Sequence, residues 1–327
     1  MEHLLHIHSV IADELSSFNR RIAGTLTHIN PLLNGVITHL KQQNGKLMRP
    51  ILVLLTARLF SDRVTETTKQ TAVALELLHT ASLIHDDVVD QSDERRGKRS
   101  LNAVYNNKVA VLAGDLLLAT SSLEASKTKN PAILSQIAML GQTLSQGELL
   151  QLSHIADIDS FDEKVYFDII RMKTAALFAA CTELGALSVG ASADDCERAR
   201  LLGEYIGICF QIKDDIFDYD SSAEKEIGKP TGNDMMEGKL TLPALHVLQK
   251  ADENVRALAM RIRQGQGTPE EIAQLVTLSK REGGIEYAIA VMDDHRRRAE
   301  TLLASFPDTP VRTAMYEYVD YVVGRRK

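Results

Sequence analysis

Hydrophobic positions recur along most of this chain with the 3.6-residue period of an α-helix. Several of the segments are apolar on nearly every face, which is typical of helices at the centre of a protein. The six clearest are residues 50–60, 70–87, 109–126, 132–152, 167–190 and 196–219. The two-residue alternation that indicates β-strands is missing. The pattern therefore predicts an all-α protein.

The domain organisation also follows from this pattern. No Gly/Ser-rich or Pro-rich linker divides the chain, and the prolines fall at helix starts or in loops. The most polar gap, residues 220–234, is short. We expect one large helical domain over residues 1–327, with the more charged helices from residue 251 onward at its periphery.

Composition narrows the class of protein. Hydrophobic residues make up 44% and charged residues 25% of the 327 positions, which is an ordinary globular balance. A net charge of −7 gives no reason to expect nucleic-acid binding. The cysteines at 181, 196 and 209 lack metal-type spacing and predict reduced thiols in a cytoplasmic protein. We see neither a signal peptide nor a stretch approaching the ~20 apolar residues of a membrane span.

An acidic motif, D-D-x-x-D, occurs twice, at residues 86–90 and again at residues 214–218. Carboxylates four residues apart share one face of a helix and repel each other. A solvated acidic face would explain one such motif. Each copy, however, ends a long apolar segment, and the 128 positions between them allow the two to face each other across a cavity.

Clustered carboxylates in a half-buried cleft are costly unless a cation neutralises them. Mg²⁺ binds a few carboxylates, keeps water ligands and shares its remaining positions with phosphates. Two facing motifs therefore predict a magnesium-dependent diphosphate site. A calcium-binding EF-hand is a rival for the second motif, but Ala223 and Lys229 occupy positions that need glycine and glutamate. A P-loop motif is absent from the sequence.

Basic residues accompany the acidic motifs. Lys46 and Arg49 precede an apolar helix, where free backbone amides favour an anion, although an ordinary surface turn would look the same. Lys173 and Thr174 lie within an apolar helix, where an unpaired lysine is costly, so we expect Lys173 to reach a phosphate or an acid. The other cations near the motifs are Arg95, Arg96, Lys229 and Lys239.

Five blocks, "GKLMRP", "LLHTASLIHDDVVDQSDERRGK", "MKTAALF", "GICFQIKDDIFDYD" and "GKPTGND", together resemble the trans-prenyl diphosphate synthases, or polyprenyl synthetases, in order and spacing. The resemblance covers about residues 45–239 and favours the long-chain, octaprenyl diphosphate synthase-like type. It implies the isoprenoid synthase fold, with central helices around a deep cavity. It also implies condensation of isopentenyl diphosphate with an allylic diphosphate such as farnesyl or geranylgeranyl diphosphate.

The resemblance implies a role for each matching residue. Asp86, Asp90, Asp214 and Asp218 would hold about two or three Mg²⁺ ions per active site, supported by Asp87 and Asp215. The allylic diphosphate would contact Arg95, Lys173, Lys229 and Lys239. Isopentenyl diphosphate would contact Lys46, Arg49, His79 and Arg96, although His79 alone would look like a packed core histidine. Thr174 and Gln211 would lie near the reacting carbon.

Product length follows from helix geometry. Ser82 lies one turn before Asp86 on the same face, with Ala81 beside it. In the family, bulky residues here stop the growing chain. Two small residues predict an open tunnel and a product of about C30–C50, for quinone side chains. The tunnel floor would come from Leu75, Leu78 or the helix over residues 132–152; close helix packing is the other explanation for the small residues.

Alternative functions and partners remain open. The chain could make shorter geranylgeranyl or farnesyl products, or it could be the non-catalytic subunit of a heteromeric synthase. A terpene cyclase of the same fold would not need "GKLMRP". The resemblance implies a homodimer, with an interface from helices such as residues 109–119, and a long product suggests transient contact with a membrane surface. Residues 324–327, "GRRK", could close over isopentenyl diphosphate or remain solvated.

Overall fold

The computed structural model describes residues 2–26, 30–42, 45–95, 97–155, 162–219 and 231–325. Most of these residues are helical, so the predicted all-α class is confirmed. The helices are α1 (Glu2–Val10), α2 (Ala12–Thr25), α3 (Pro31–Gln42), α4 (Met48–Phe60), α5 (Glu66–Val89), α6 (Leu101–Val104), α7 (Asn107–Lys127), α8 (Pro131–Ile155), α9 (Glu163–Ile170), α10 (Ala176–Leu187), α11 (Ala193–Phe217), α12 (Asn233–Met236), α13 (Leu242–Leu248), α14 (Glu253–Arg263), α15 (Pro269–Arg281), α16 (Gly284–Ala304) and α17 (Pro310–Gly324).

The predicted helical segments correspond to α4, α5, α7, α8, α9 with α10, and α11. One of them differs from the prediction. Residues 167–190 were expected to form one uninterrupted helix, but a five-residue π-helical turn, Arg171–Ala175, separates α9 from α10. A short antiparallel hairpin of β1 (Glu94–Arg95) and β2 (Lys98–Arg99) also follows α5. The π-turn and the hairpin both carry predicted site residues.

Two compact units divide the chain. The first comprises Met1–Gln142, Leu177–Gly203 and Leu302–Tyr318, and the second comprises Thr143–Ala176, Glu204–Thr301 and Val319–Lys327. The first unit contains the first aspartate motif, and the second unit contains the other one. The predicted single domain over residues 1–327 stays a prediction.

Helix α5 organises the first unit. It begins with a capping box in which Thr65 and Thr68 satisfy each other's backbone amides. It packs against α2, α4 and α7, and residues such as Leu75 and Leu77 are almost fully buried. Helix α10 approaches α4 closely at Gly185, where a Cβ atom would lie 2.7 Å from the Val53 carbonyl oxygen. This packing fixes the direction in which the last turn of α5 presents its aspartates.

In the second unit, short helices surround the end of α11. Helix α13 packs against α9 and α15, and α12 packs against α14 and α15. Helix α15 begins with a capping box formed by Thr268 and Glu271. The Gly232 amide, at the start of α12, donates to the Asp218 carbonyl oxygen at 2.8 Å, which ties the start of α12 to the end of α11.

Helix α7 corrects one expectation. Among the described residues it is the one helix long and apolar enough to cross a membrane, whereas the sequence had suggested that no stretch approaches this composition. Length and composition are weak evidence, since core helices of soluble proteins share them. The helix also carries Asp115, whose side chain is 59% exposed. An apolar helix with a partly exposed surface is also what a protein interface needs.

Candidate active site

The first aspartate motif lies at the end of α5. Asp86 and Asp87 belong to its last turn, and Asp90 is the residue that caps it. The Asp90 amide donates to the Asp86 carbonyl oxygen at 2.8 Å, so helical geometry continues to Asp90. Asp86 and Asp90 are at least partly exposed, whereas Asp87 is only 3% exposed. The motif therefore separates two accessible carboxylates from one buried carboxylate.

Buried Asp87 is held by the hairpin that follows it. The Arg95 Nε and Nη2 atoms each lie 2.7 Å from Asp87 Oδ1. Burial raises the pKa of Asp87, and the neighbouring Arg95 opposes that rise. Gly97, with a φ angle of 72°, makes the tight turn between the two strands. Arg95 thus contacts Asp87 in this structure, and its predicted contact with a diphosphate stays a prediction.

The residues predicted to hold isopentenyl diphosphate lie around the start of α4 and on α5. Lys46 is exposed, and Arg49 lies in the first turn of α4 with its guanidinium carbon 4.9 Å from the centroid of the Phe178 ring. His79 is buried, at 6% exposure. Arg96 lies outside the described residues. Lys46 and Arg49 lie at the start of a helix, where backbone amides favour the binding of anions. Binding of isopentenyl diphosphate by Lys46, Arg49 and His79 stays a prediction.

The second aspartate motif lies at the end of α11. Asp218 accepts two backbone hydrogen bonds at the start of α12, from Asn233 at 2.9 Å and from Asp234 at 3.2 Å. Asp214 forms an ion pair of 2.6 Å with Arg325, the residue that follows α17. Two members of this motif are therefore held by donors from different elements.

Asp215 is the buried member of the second motif, at 2% exposure. The Tyr166 hydroxyl donates to its Oδ2 at 2.5 Å, and the Gln211 amide donates to its Oδ1 at 2.8 Å. Thr174 in the π-turn in turn donates to Gln211 Oε1 at 2.6 Å. Burial raises the pKa of Asp215 to about 7, despite the two donors. These hydrogen bonds connect Thr174, a predicted site residue, through Gln211 to Asp215.

Two of the predicted lysines in the second unit have acidic partners. Lys173 forms an ion pair with Glu148 and donates to Gln151 Oε1 at 3.1 Å. Lys173 was expected to reach a phosphate or an acid, and in this structure it reaches an acid, Glu148. Lys239 lies 2.7 Å from Glu237, and Lys229 lies outside the described residues. Contacts of Lys173, Lys229 and Lys239 with a diphosphate stay predictions.

A cavity of about 180 Å³ brings several of these groups together within the second unit. Its lining includes Tyr166, Lys173, Thr174, Gln211, Asp215, Asp234 and Lys239. Burial, with Asp218 and Asp215 nearby, raises the pKa of Asp234 well above its usual value. A pocket that combines two lysines with buried acids can hold an anion and its counter-ions.

Five residues of this site were missed from the sequence. They are Glu148, Gln151, Tyr166, Asp234 and Arg325. Asp234 lies within the "GKPTGND" block and Arg325 within the basic stretch at residues 324–327, so the sequence around both already pointed to the site. The sequence around Tyr166 and Glu148 does not, because only their partners in the folded chain connect them to the site.

The donor set fits a hard divalent cation. Each motif offers carboxylate oxygens, the ligands that Mg²⁺ prefers, on two residues one helical turn apart. Within the part of the chain that the structure describes, no group of three or more His, Cys, Asp or Glu side chains is arranged to hold a metal alone. That arrangement suits an ion that takes its remaining ligands from water and substrate phosphates rather than from a protein cage.

Comparisons with known proteins agree with this chemistry. The polyprenyl synthetase family model matches residues 30–279. Heptaprenyl diphosphate synthase component 2 of Geobacillus stearothermophilus is 36% identical over 323 residues, which is 98% of both chains. The chain therefore belongs to the polyprenyl synthetase family. It is an enzyme, a prenyltransferase of the trans-prenyl diphosphate synthase type.

Solved structures support the same fold. A geranylgeranyl pyrophosphate synthase from Bacteroides thetaiotaomicron is 50% identical, with a TM-score of 0.87, over 99% of this chain and all of the other. A polyprenyl synthase from Caulobacter crescentus, complexed with calcium and isoprenyl diphosphate, is 31% identical with a TM-score of 0.91, over 99% and 98% of the two chains. The predicted isoprenoid synthase fold is confirmed.

Proposed function

We propose that this enzyme condenses isopentenyl diphosphate with an allylic diphosphate, such as farnesyl or geranylgeranyl diphosphate, to give an all-trans product of about C30–C50. The observation that carries the reaction is the presence of two complete aspartate motifs, each at the end of a packed helix and each with a buried aspartate held by donors. A product of this length would serve as a quinone side chain.

The cation requirement is part of the proposal. Asp86 and Asp90 on one motif, and Asp214 and Asp218 on the other, would hold about two or three Mg²⁺ ions. When bound, Mg²⁺ supplies positive charge that stabilises the departing diphosphate. The calcium in the Caulobacter crescentus structure supports a divalent cation in a similar fold.

The chain's own residues would act on the same diphosphate. Lys173 and Lys239 line the cavity and would exchange their acidic partners, Glu148 and Glu237, for phosphate oxygens. Positive groups fixed in place stabilise the charge that develops as the allylic C–O bond breaks. Thr174 and Gln211, tied together at 2.6 Å, would lie beside the cationic carbon and keep water from it.

Proton loss completes the condensation. The double bond of isopentenyl diphosphate attacks the allylic carbon, and one proton must leave the new chain. Thr174 and Gln211 are not bases near neutral pH, so we expect the departing diphosphate to take this proton. Lys46, Arg49, His79 and Arg96 would hold the second diphosphate.

Product length rests on α5. Ala81 is 1% exposed and Ser82, one turn before Asp86, donates to the His79 carbonyl oxygen at 2.9 Å. Leu78 is the next residue after Ser82 in the four-residue spacing from Asp86, about 12 Å along the axis, and it carries a large apolar side chain. Leu78 lies close to α8, since a Cβ atom on Gly141 would be 4.0 Å from it. Leu78 is therefore our candidate for the tunnel floor, and Leu75 lies one turn deeper.

A shorter product is the second candidate. The 50% identical protein from Bacteroides thetaiotaomicron is a geranylgeranyl pyrophosphate synthase, whereas the Geobacillus stearothermophilus relative is a heptaprenyl diphosphate synthase component. Because that relative is a component of a synthase, a two-chain synthase is a further alternative. The six aspartates of the two motifs argue that this chain would be the catalytic one.

One experiment separates these possibilities. The purified chain is incubated with Mg²⁺, radiolabelled isopentenyl diphosphate and geranyl, farnesyl or geranylgeranyl diphosphate, and products are sized by chromatography. Products of C30 or longer support the proposal, and a product that stops at C20 supports the shorter-chain alternative. No incorporation by the single chain would favour the subunit alternative.

Partners and location follow from the same proposal. We propose a homodimer formed through α7, which exposes Leu112 at 68% and Leu123 at 56%. We also propose a cytoplasmic enzyme, since Cys181, Cys196 and Cys209 are free and buried. Release of a long product would involve transient contact with a membrane surface, and turnover should then rise with detergent. An unchanged turnover would contradict that contact.

A further inference from the structure

Arg325 contacts α11 through hydrogen bonds, an ion pair and aromatic rings. Its Nη2 atom donates to the Phe210 carbonyl oxygen at 2.9 Å and to Asp214 Oδ1 at 2.6 Å. Its guanidinium carbon lies 3.8 Å from the centroid of the Phe210 ring, within the range of a cation–π contact. The side chain is only 9% exposed. Arg325 is therefore held in place, and it is not the solvated terminal residue that the sequence allowed.

The second motif explains why a cation belongs there. Its three aspartates lie within five residues, and like charges this close repel. Backbone amides compensate Asp218, and side-chain donors compensate Asp215. Arg325 compensates Asp214 with a full positive charge, a different kind of partner from those of its two neighbours.

We propose that Arg325 is the resident counter-ion of Asp214 and sets the affinity of the second motif for divalent cations. This inference rests on the proposed function, in which Asp214 is a cation ligand. A guanidinium and a divalent cation on one carboxylate repel each other, so each weakens the binding of the other. Diphosphate carries negative charge that offsets this repulsion. The cation and the diphosphate therefore bind together rather than the cation first.

Arg325 acts through Asp214 and is a positioning residue. Its contacts with Phe210 hold the guanidinium beside Asp214. The expected behaviour is thus a change in cation affinity and in its dependence on diphosphate. A purely structural arginine would change stability without changing that dependence.

The test uses the full chain and Mn²⁺ as the probe, with free Mn²⁺ measured by electron paramagnetic resonance, with and without inorganic diphosphate. Without diphosphate, Arg325→Gln should bind Mn²⁺ about two- to fivefold more tightly than the wild type, the size expected for a partly exposed ion pair. Diphosphate should also increase the Mn²⁺ affinity of Arg325→Gln less than that of the wild type, by a similar factor.

Two variants serve as controls. Arg325→Lys keeps the charge, and its Mn²⁺ affinity should stay near that of the wild type. Arg297→Gln, at a side chain 72% exposed, is the matched control and should change nothing.

Equal or weaker Mn²⁺ binding by a folded Arg325→Gln would overturn the inference. Because this variant could loosen α17, hydrogen exchange on the wild type gives a second test. Amides of residues 319–325 should exchange faster once Mn²⁺ and diphosphate are added, and unchanged or slower exchange would also overturn it. The incorporation of isopentenyl diphosphate by the wild type tests the proposed function separately, since Mn²⁺ affinities are measured without turnover.

Discussion

At the scale of single residues, the aspartates of the two motifs differ in what holds them. Asp87 and Asp215 are buried and bound by side-chain donors, while Asp86 and Asp90 are at least partly exposed. Buried carboxylates with fixed donors cannot turn toward a ligand without leaving those donors unpaired. We therefore propose that the buried pair supports the motifs and that the accessible aspartates bind the cations.

Asp218→Asn tests this division. The Asp218 carboxylate now accepts from two backbone amides, at 2.9 and 3.2 Å. An amide in its place would turn an NH₂ group toward one of these donors and would remove the charge. We expect kcat to fall by about a hundredfold or more. Asp308→Asn, at a side chain 84% exposed, is the control and should keep full activity. Activity of Asp218→Asn within a few-fold of the wild type would contradict the assignment.

His295 predicts a pH dependence of stability. It lies 6.0 Å from the ring of Phe167 and 6.0 Å from that of Tyr205, and burial lowers its pKa below the usual 6.5. The unfolded chain then binds more protons below pH 6.5, so folding becomes weaker as the pH falls through that range. We expect urea unfolding of His295→Gln to lose less stability than the wild type between pH 7.5 and 5.5. His8→Gln, at an exposed position, is the control, and equal losses in all three proteins would refute the argument.

At the scale of elements, α5 carries both the residues proposed to bind cations and the residues proposed to set product length. Its last turn carries the first aspartate motif, and the turns before it carry Ser82 and Leu78 on the same face. Its neighbours α4 and α7 are fixed by packing. In the proposed function, the distance along α5 from the aspartate motif would set the length of the product.

Ala81→Tyr tests this role of α5. Ala81 is almost fully buried, and in the proposed function it lies beside the tunnel, which a tyrosine would narrow. We expect the product to become shorter by several isoprene units while the condensation itself continues. Chromatography of the products measures this, and circular dichroism checks that the variant folds. A folded variant with an unchanged product would show that Ala81 does not line the tunnel.

Gly203 tests the packing of α11 on α10. A Cβ atom there would lie 2.7 Å from Ala179 Cα and closer still to the Thr182 hydroxyl and the Phe178 carbonyl oxygen. The backbone of α10 cannot shift without disturbing its own packing. Gly203→Ala should therefore lower the free energy of unfolding by about 1–3 kcal/mol. Gly24→Ala in α2 meets nothing within 4 Å and should be neutral or stabilising by up to about 1 kcal/mol. Chemical denaturation of both variants provides the comparison.

At the scale of the whole molecule, α7 presents an apolar face that the described residues leave exposed. Leu112, Leu116 and Leu123 are exposed and recur at helical spacing along it. Large exposed apolar patches on soluble proteins mark sites of association. This face is the structural basis for the proposed homodimer.

Leu112→Glu with Leu123→Glu should convert the dimer to a monomer, because two charges would be buried in the interface. Light scattering coupled to size-exclusion chromatography measures the mass. Leu32→Glu, at a residue 49% exposed on α3, is the control and should remain dimeric. If the double variant keeps the wild-type mass, the dimer interface does not involve this face of α7.

The sequence by itself determined the class of fold and the chemistry of the motifs. Helical periodicity depends on local spacing, and repeated D-D-x-x-D needs no tertiary information to reveal its charge problem. The long-range partners of Asp214, Asp215 and Lys173 were decided only by the tertiary structure. Arg325 is 111 positions from Asp214, and Tyr166 is 49 from Asp215. Contacts over such separations depend on how helices pack, and local patterns do not encode that packing.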